Sequence, residues 1–209
     1  MKEYFKGWYF KAQNPKQTVA VIPAMHVDEN GGKTASIQVI ADNGAWCTAF
    51  PYEEFDVNKK QRQVRVGKNI FSEQGMKIHI ENDDIQAIGI LNFDALTPIQ
   101  YDIMGPFCCV PFMECRHSIY SMRHEVNGQL LINGQLYNFT DAVGYTEGDR
   151  GHSFPSVYAW TQCHFGHNSL MLSAADILPE SSLSSCWTAG NTGWPLIWAQ
   201  KPVSSATMP

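Results

Sequence analysis

The stretch RHSIYSMRHEVNGQLLINGQLYNF, residues 116–139, decides the fold class of this chain. Apolar and polar side chains alternate along it, and Asn127-Gly128 and Asn133-Gly134 interrupt the alternation. A period of two is typical of half-buried strands, and Asn-Gly favours tight hairpin turns because both residues tolerate a positive φ. The stretch therefore predicts two hairpin turns between three antiparallel strands, Arg116–Val126, Gln129–Ile132 and Gln135–Phe139.

The same short alternating pattern fills most of the chain outside this stretch, and helical periodicity is nearly absent. Gly, Asn, Asp and Pro bound the alternating segments, as they commonly do around antiparallel strands. The number of strands predicts an all-β barrel or sandwich. The further predicted strands are Tyr4–Lys11, Thr18–His26, Thr34–Ala41, Trp46–Phe50, Gln63–Val66, Met76–Glu81, Ile85–Asn92, Ser156–Phe165 and Ser169–Ala175.

The composition limits the class of protein. The 209 residues, 44% of them hydrophobic, suit one large domain or two very small ones. A net charge of -5 supplies no general basic surface, so we expect no nucleic-acid partner. No apolar run approaches the ~20 residues that cross a bilayer, and the first residues lack the apolar centre of a secretory signal. We therefore expect a cytoplasmic protein without a transmembrane segment. Six cysteines at irregular spacings, with no CxxC pair, indicate buried thiols rather than disulfides or a zinc ribbon.

The segment Thr97–Cys115 breaks the alternation with Pro98, Pro106 and Pro111, and it is rich in Phe, Met and Cys. We predict that it is a covering crossover and not a strand. Such a loop either closes a cavity for an apolar ligand or plugs the core, and the sequence leaves both interpretations open.

Two segments carry a family resemblance. The first is YFKGWYFK at Tyr4–Lys11, and the second is GYTEGDRGHSFP at residues 144–155, followed by Trp160-Thr161-Gln162. They resemble the tocopherol cyclase family, which carries YF-x-GWYFK and GY-x-EKDWG-x-SFP-x₄-W-x-Q. The likeness extends to about Asp176, which delimits a tocopherol cyclase-like β domain at residues 1–176. It implies a lipocalin-like antiparallel barrel or paired barrel-like sheets, and ring closure of a prenylated quinol to a chromanol.

Such a cyclisation needs an acid, an aromatic lining and a dry site. Glu147 and Asp149 are two residues apart in what we interpret as a Gly-flanked turn, where mutual repulsion favours keeping one carboxyl protonated. The alternative is that they cap the turn or pair with Arg150. His152 is the candidate proton relay, so Glu147, Asp149 and His152 are the predicted catalytic residues.

The predicted substrate-binding residues are aromatic, apart from one amide. In Ser156–Phe165 the even-numbered residues share one strand face, which either lines a pocket or forms an aromatic layer under a neighbouring element. Gln162 on that face either binds a quinol hydroxyl or satisfies a buried backbone group. Because a barrel brings its first and late strands together, we expect Trp8 and Trp160 to meet inside one barrel. The full set is Trp8, Tyr9, Phe154, Tyr158, Trp160 and Gln162.

No cofactor is predicted. Cys163-His164-x-x-His167 offers metal-ligand types, but a strand followed by a turn does not converge three of them, so we expect no metal site. No glycine-rich phosphate loop is present. The expected partner is a hydrophobic small molecule, acquired through transient membrane contact. Two other functions stay open: a non-catalytic isoprenoid-binding barrel, and a structural domain with a filled interior.

The character of the chain changes after Asp176. Residues 177–209 contain only two charges, Glu180 and Lys201, yet three of the six tryptophans, without strand alternation. In another frame, codons for Trp187–Lys201 permit DGREYRLATYLGAK, which resembles the closing strand pair DGKEYRLATYLGAK of the family. We therefore predict a frameshift between about Asp176 and Trp187, an irregular and poorly packed tail at residues 177–209, and the loss of two closing strands.

Overall fold

The computed structural model describes residues 3–111, 113–176, 184–190 and 196–200, the last two ranges by their backbone. The prediction of an all-β fold is confirmed, since the only helices among the described residues are 3-10 turns at Tyr52–Glu54 and Gly105–Cys109. The strands are β1 Tyr4–Gln13, β2 Thr18–Val27, β3 Lys33–Ala41, β4 Gly44–Phe50, β5 Phe55–Asn58, β6 Gln63–Val66, β7 Asn69–Ser72, β8 Gly75–Glu81, β9 Gln86–Phe93, β10 Cys115–Ile132, β11 Gln135–Gly151, β12 Tyr158–Phe165, β13 Asn168–Asp176, β14 Ser184–Gly190 and β15 Leu196–Gln200.

Eleven of these strands form one antiparallel sheet that curls into a nearly closed barrel. Its order is β4-β3-β2-β1-β11-β10-β9-β8-β7-β6-β5, so the chain returns to place β11 beside β1. The remaining four strands form a second sheet in the order β12-β13-β14-β15. The two sheets agree with the second alternative predicted from the sequence, paired barrel-like sheets.

Alternation along β1 distributes its side chains between two apolar clusters. Trp8, Phe10 and Ala12 are buried in the larger cluster, which lies in the barrel interior. Tyr9 points the other way and packs in a smaller cluster on the outer face, with Tyr145 and Trp160. The two faces of β1 thus pack in two separate apolar clusters.

The covering role of Thr97–Cys115 is confirmed. Ile103 and Met104 from this segment are buried in the smaller cluster against Ile119 and Tyr145. The segment therefore covers the outer face of the barrel.

One of the two predicted turns is wrong. Asn133-Gly134 does form the turn between β10 and β11, with φ values of 47° and 78°. Asn127-Gly128 instead lies inside β10, where the pairing register shifts between Val126 and Gly128. Gly128 has a φ of 141°, and a Cβ there would lie 2.2 Å from the backbone oxygen of Ile90. Gly128 therefore allows β9 to approach closely and does not reverse the chain.

The interpretation of Glu147 and Asp149 as turn residues is also wrong. Both lie in β11, which continues to Gly151, and β11 pairs with β1 on one side and β10 on the other. The glycines that suggested a turn are sites of close packing. A Cβ at Gly151 would lie 1.9 Å from the backbone oxygen of Glu114.

The expectation that the tail lacks strands is wrong for the backbone of β14 and β15. β14 pairs with β13, and β15 pairs with β14. Backbone pairing uses N–H and C=O groups that every non-proline residue carries, so it needs no side-chain alternation. The proposed domain boundary at residue 176 therefore falls inside one sheet. Residues 177–183, 191–195 and 201–209 of the predicted tail lie outside the described residues, and the frameshift stays a prediction.

No helix among the described residues has the length and apolar character needed to span a membrane.

Candidate active site

A cavity of about 420 Å³ lies between the outer face of the barrel and β12. The barrel strands β1, β2, β3, β10 and β11 supply its floor, and β12, β13 and the segment before β12 supply the opposite wall. Its principal lining side chains are Phe5, Tyr9, Cys115, His117, Glu147, Asp149, Phe154, Tyr158 and Trp160.

The register of the barrel explains why the polar groups converge. Glu147 and Asp149 are two residues apart in a strand, so their side chains share one face. Asp149 is paired with Gly7 on β1 and with His117 on β10. Because Gly7 has no side chain, the space beside Asp149 stays open toward the cavity.

His117 lies between the two carboxylates. Its Nδ1 is 2.8 Å from Oδ1 of Asp149, and its Nε2 is 3.2 Å from Oε2 of Glu147. The contact between Nε2 and Glu147 is close enough for an ion pair, but its angles do not suit a hydrogen bond. Nε2 is therefore buried and has no hydrogen-bond partner. His117 and Glu147 are 7% and 5% exposed, so this charged group is almost withdrawn from water.

The carboxylates hold His117 in its charged form. Burial alone would lower the pKa of the imidazole, but the hydrogen bond to Asp149 and the interaction with Glu147 outweigh it and raise the pKa to about 10. At neutral pH the site therefore contains a buried imidazolium between two carboxyl groups.

Two further donors orient Glu147. The hydroxyl of Tyr145 donates to Oε2 of Glu147, and Nε1 of Trp160 donates to the same oxygen at 3.2 Å. Burial and the neighbouring Glu147 raise the pKa of Tyr145 well above its usual value, and raise that of Tyr9 to about 12. Both phenols consequently stay neutral.

Cys115 is a second donor to Asp149. Its Sγ lies 3.8 Å from Oδ1 of Asp149. Burial, followed by the charge of Asp149, raises the pKa of the thiol. Cys115 is therefore a neutral donor and a poor nucleophile.

Aromatic rings form the apolar part of the cavity. Trp160 meets Tyr9 edge-on, with ring centroids 5.5 Å apart. Toward the solvent, Phe154 stacks on Phe5 at 4.6 Å and on Tyr158 at 5.8 Å. Phe154 and Tyr158 are exposed, which makes them an aromatic rim at the mouth.

The structure brings most of the predicted site residues together. Those that line the cavity are Trp8, Tyr9, Glu147, Asp149, Phe154, Tyr158 and Trp160. The expectation that Trp8 and Trp160 meet inside one barrel is wrong: Trp8 is buried in the barrel interior, whereas Trp160 comes from the second sheet and packs on the outer face of the barrel.

Two predicted residues are not among the cavity-lining side chains. His152 is exposed, and its Nδ1 lies 2.6 Å from the backbone oxygen of Glu3. Gln162 is buried beside the cavity, where its Oε1 accepts a hydrogen bond of 3.0 Å from Nζ of Lys11. His117, rather than His152, lies between the two carboxylates, and the amide oxygen of Gln162 accepts a hydrogen bond from Lys11.

His117 is the functional candidate that the sequence analysis missed. It is 32 positions from Asp149 in the chain, and only the pairing of β10 with β11 brings the two together. The available signal was its place in the alternating stretch, where it shares a strand face with Ile119, a core residue.

His117, Glu147 and Asp149 are also the described residues that could hold a metal ion. One ligand atom from each lies within 4.8 Å of the others. In the histidine and cysteine group considered from sequence, His164 hydrogen-bonds Ser169 at 2.7 Å, whereas Cys163 is exposed. A metal and a proton would compete for the same two carboxylates and the same ring.

No protein-family model matches this chain, and no curated protein matches it.

Proposed function

We propose that this protein catalyses the acid-assisted cyclisation of a prenylated quinol, or a related isoprenoid, to a chromanol, as its resemblance to tocopherol cyclases implies. The observation that carries the proposal is a buried imidazolium between two carboxyl groups at the floor of an aromatic cavity. An acid, an aromatic lining and exclusion of water are the requirements of this reaction.

The reaction consumes no proton overall. Protonation of the trisubstituted alkene forms a C–H bond and leaves a tertiary carbocation. The phenol oxygen then forms a C–O bond to that carbon and releases its own proton. A site for this reaction must give one proton and take one back, which a pair of carboxyl groups joined by an imidazole can do.

In this scheme Asp149 delivers the proton that it shares with Nδ1 of His117. The neutral ring that remains keeps its other proton on Nε2, which faces Glu147. The carboxylate of Asp149 then accepts the proton of the phenol and returns it to Nδ1, which restores the imidazolium. A histidine with one nitrogen on each carboxyl group is suited to this transfer.

The aromatic rings would stabilise the intermediate cation. Trp160 and Tyr9 lie at the end of the cavity that holds Glu147, and the faces of aromatic rings attract cations. Burial of Glu147 and His117 keeps water from capturing the carbocation.

The test is conversion of prenylated hydroquinones of different chain length by the purified protein, with the chromanol measured by mass spectrometry. In D₂O the product should carry one deuterium at the former alkene carbon. Asp149→Asn should lower the rate by about 10²–10⁴, the usual contribution of a positioned acid. Asp56→Asn, at an exposed position of β5, is the matched control and should leave the rate unchanged.

Removal of metal ions with EDTA should also leave the rate unchanged, because the proposed chemistry requires only protons. Stoichiometric binding of the hydroquinone without any chromanol would contradict catalysis and favour a non-catalytic isoprenoid-binding barrel.

A further inference from the structure

The barrel interior contains a second cavity, which is separate from the site described above. It has a volume of about 330 Å³ and lies on the other face of β1 and β11. Trp8 lines both cavities. We propose that this second cavity binds an amphiphilic anion, with its head group at the mouth and an oxygen-bearing apolar body in the barrel.

The inner wall of this cavity is apolar. Phe10, Val64 and Phe71 line it and belong to the large core cluster. Their exposure does not exceed 5%. A volume near the lower end of the range for small-molecule sites suits a single chain of medium length.

The mouth is positively charged. Lys6 and Lys59 line it, and the exposed Arg150 is paired with Lys6 across β1 and β11. Arg62 and Glu73 also line the cavity and are paired with each other at 2.8 Å. Among the described residues, no carboxylate lies within ion-pair distance of Lys6, Lys59 or Arg150, so the lining keeps a net positive charge.

Lys6 experiences this concentration of charge directly. Burial, followed by the charges of Arg150 and Lys59, lowers its pKa. Its Nζ lies 4.7 Å from the ring centre of Trp8, so a ring face supplies the interaction that a carboxylate would otherwise supply. An anionic head group at the mouth would relieve the repulsion among the three cations.

A buried hydroxyl indicates a second polar atom in the ligand. Thr146 lines the cavity, and its Oγ1 is buried and has no hydrogen-bond partner. A buried hydroxyl without a partner is costly, so a ligand oxygen at this place would be favourable. Thr146 is four residues from Arg150 along β11, or about 13 Å at ~3.3 Å per residue. The ligand therefore carries its oxygen about ten bonds from the head group.

The experiment is calorimetric titration of the full chain with three probes: ω-hydroxydecanoate, decanoate and decanol. We expect the affinity to fall in that order. Replacing both Lys6 and Lys59 with Gln should weaken both carboxylates by on the order of tenfold or more and leave decanol unchanged. Lys16→Gln, at an exposed position outside the cavity, is the matched control.

Thr146→Val removes the hydroxyl at nearly constant volume and should abolish the preference for ω-hydroxydecanoate over decanoate. If the double variant folds poorly, Lys59→Gln alone can be used instead, because it changes only an exposed side chain. Equal affinity for decanol and decanoate, or charge variants that bind as the wild type does, would overturn the proposal. Loss of binding in Trp160→Ala, which alters only the first cavity, would place the probe there instead and overturn it as well.

Discussion

Nδ1 of His117 lies 2.8 Å from Oδ1 of Asp149, across the pairing of β10 with β11. The contact joins a strand that starts after the covering segment to the strand that carries both carboxylates of the site. Because His117 is buried and Asp149 is half-buried, the protonation of the pair is coupled to the stability of the fold as well as to the proposed chemistry.

The first prediction concerns alkaline pH. The pKa of His117 is about 10 in the folded protein and near 6.5 in an unfolded chain, so the charged ring stabilises the fold. This stabilisation is fully present below about pH 6.5 and is lost as the pH rises through about 10. Urea unfolding should show that the wild type has a larger free energy of unfolding than His117→Gln, and that this difference decreases over this pH range.

Below neutral pH the variant should be destabilised by about 3–5 kcal/mol, the cost of leaving a buried ion pair without one partner. His26→Gln, at an exposed position of β2, serves as the control and should match the wild type throughout. A difference in stability that stays constant with pH would mean that the two carboxylates do not raise the pKa of His117.

The second prediction compares two tryptophans. Trp8 is 8% exposed within the barrel core, whereas Trp160 is half-buried at the edge of the first cavity. Trp8→Ala should destabilise the protein by about 3–5 kcal/mol, as expected of a buried ring. Trp160→Ala should cost less, about 1–3 kcal/mol, because one side of its ring already faces open space.

Thermal or urea unfolding of both variants provides the measurement. Equal losses would identify Trp160 as a packing residue and would weaken its assignment to the cavity lining.

The third prediction uses the open space beside Asp149. A Cβ at Gly7 would meet only Cβ of Ala24 at 3.6 Å and the backbone oxygen of Pro23 at 3.8 Å, both ordinary contacts. Gly7→Ala should therefore fold normally. Gly7→Leu should fill the cavity and reduce turnover of a prenylated quinol by on the order of tenfold or more, since misplacing a substrate is costly.

Gly7→Ala is the matched control, and circular dichroism should show the same strand content in both variants. A fully active Gly7→Leu protein would contradict binding of the substrate beside Asp149.

Alternation in the sequence was sufficient to find most of the barrel strands, because most side chains on the inner face of the barrel are apolar. The strand β6 begins and ends at the predicted residues, Gln63 and Val66. The strands β5 and β7, which also have four residues each, were not predicted.

The two wrongly predicted turns share a physical cause: a glycine gives the same sequence signal in a turn and in a closely packed strand. At Gly148, a Cβ would lie 2.8 Å from the ring of Tyr120, so glycine is required although β11 continues through it. The close approach involves a residue far away in the chain, and nothing local in GYTEGDRG reveals it.

The candidate site was half predictable for a related reason. Glu147 and Asp149 share a face whenever they lie in a strand, which local sequence can indicate. The third member, His117, depends on which strand lies beside β11 and in which register, and a single sequence does not determine that pairing.

The last prediction concerns acid pH and the polar contact between the two sheets. Burial, followed by the charges of Lys11 and Arg123, lowers the pKa of His164 to about 4. Burial, followed by His164, likewise lowers the pKa of His124 to about 4. Both rings are therefore neutral when folded at neutral pH.

An unfolded chain binds these protons near pH 6.5, so it binds more protons than the folded protein between about pH 6.5 and 4. The stability that is present above about pH 6.5 should consequently fall as the pH falls toward 4. His164→Gln keeps a side chain that can hydrogen-bond Ser169 and removes the charge, so it should flatten this acid-side loss. Unfolding by urea at several pH values measures the effect, with His26→Gln again as the control. An unchanged acid slope in His164→Gln would contradict a lowered pKa of His164 in the folded protein.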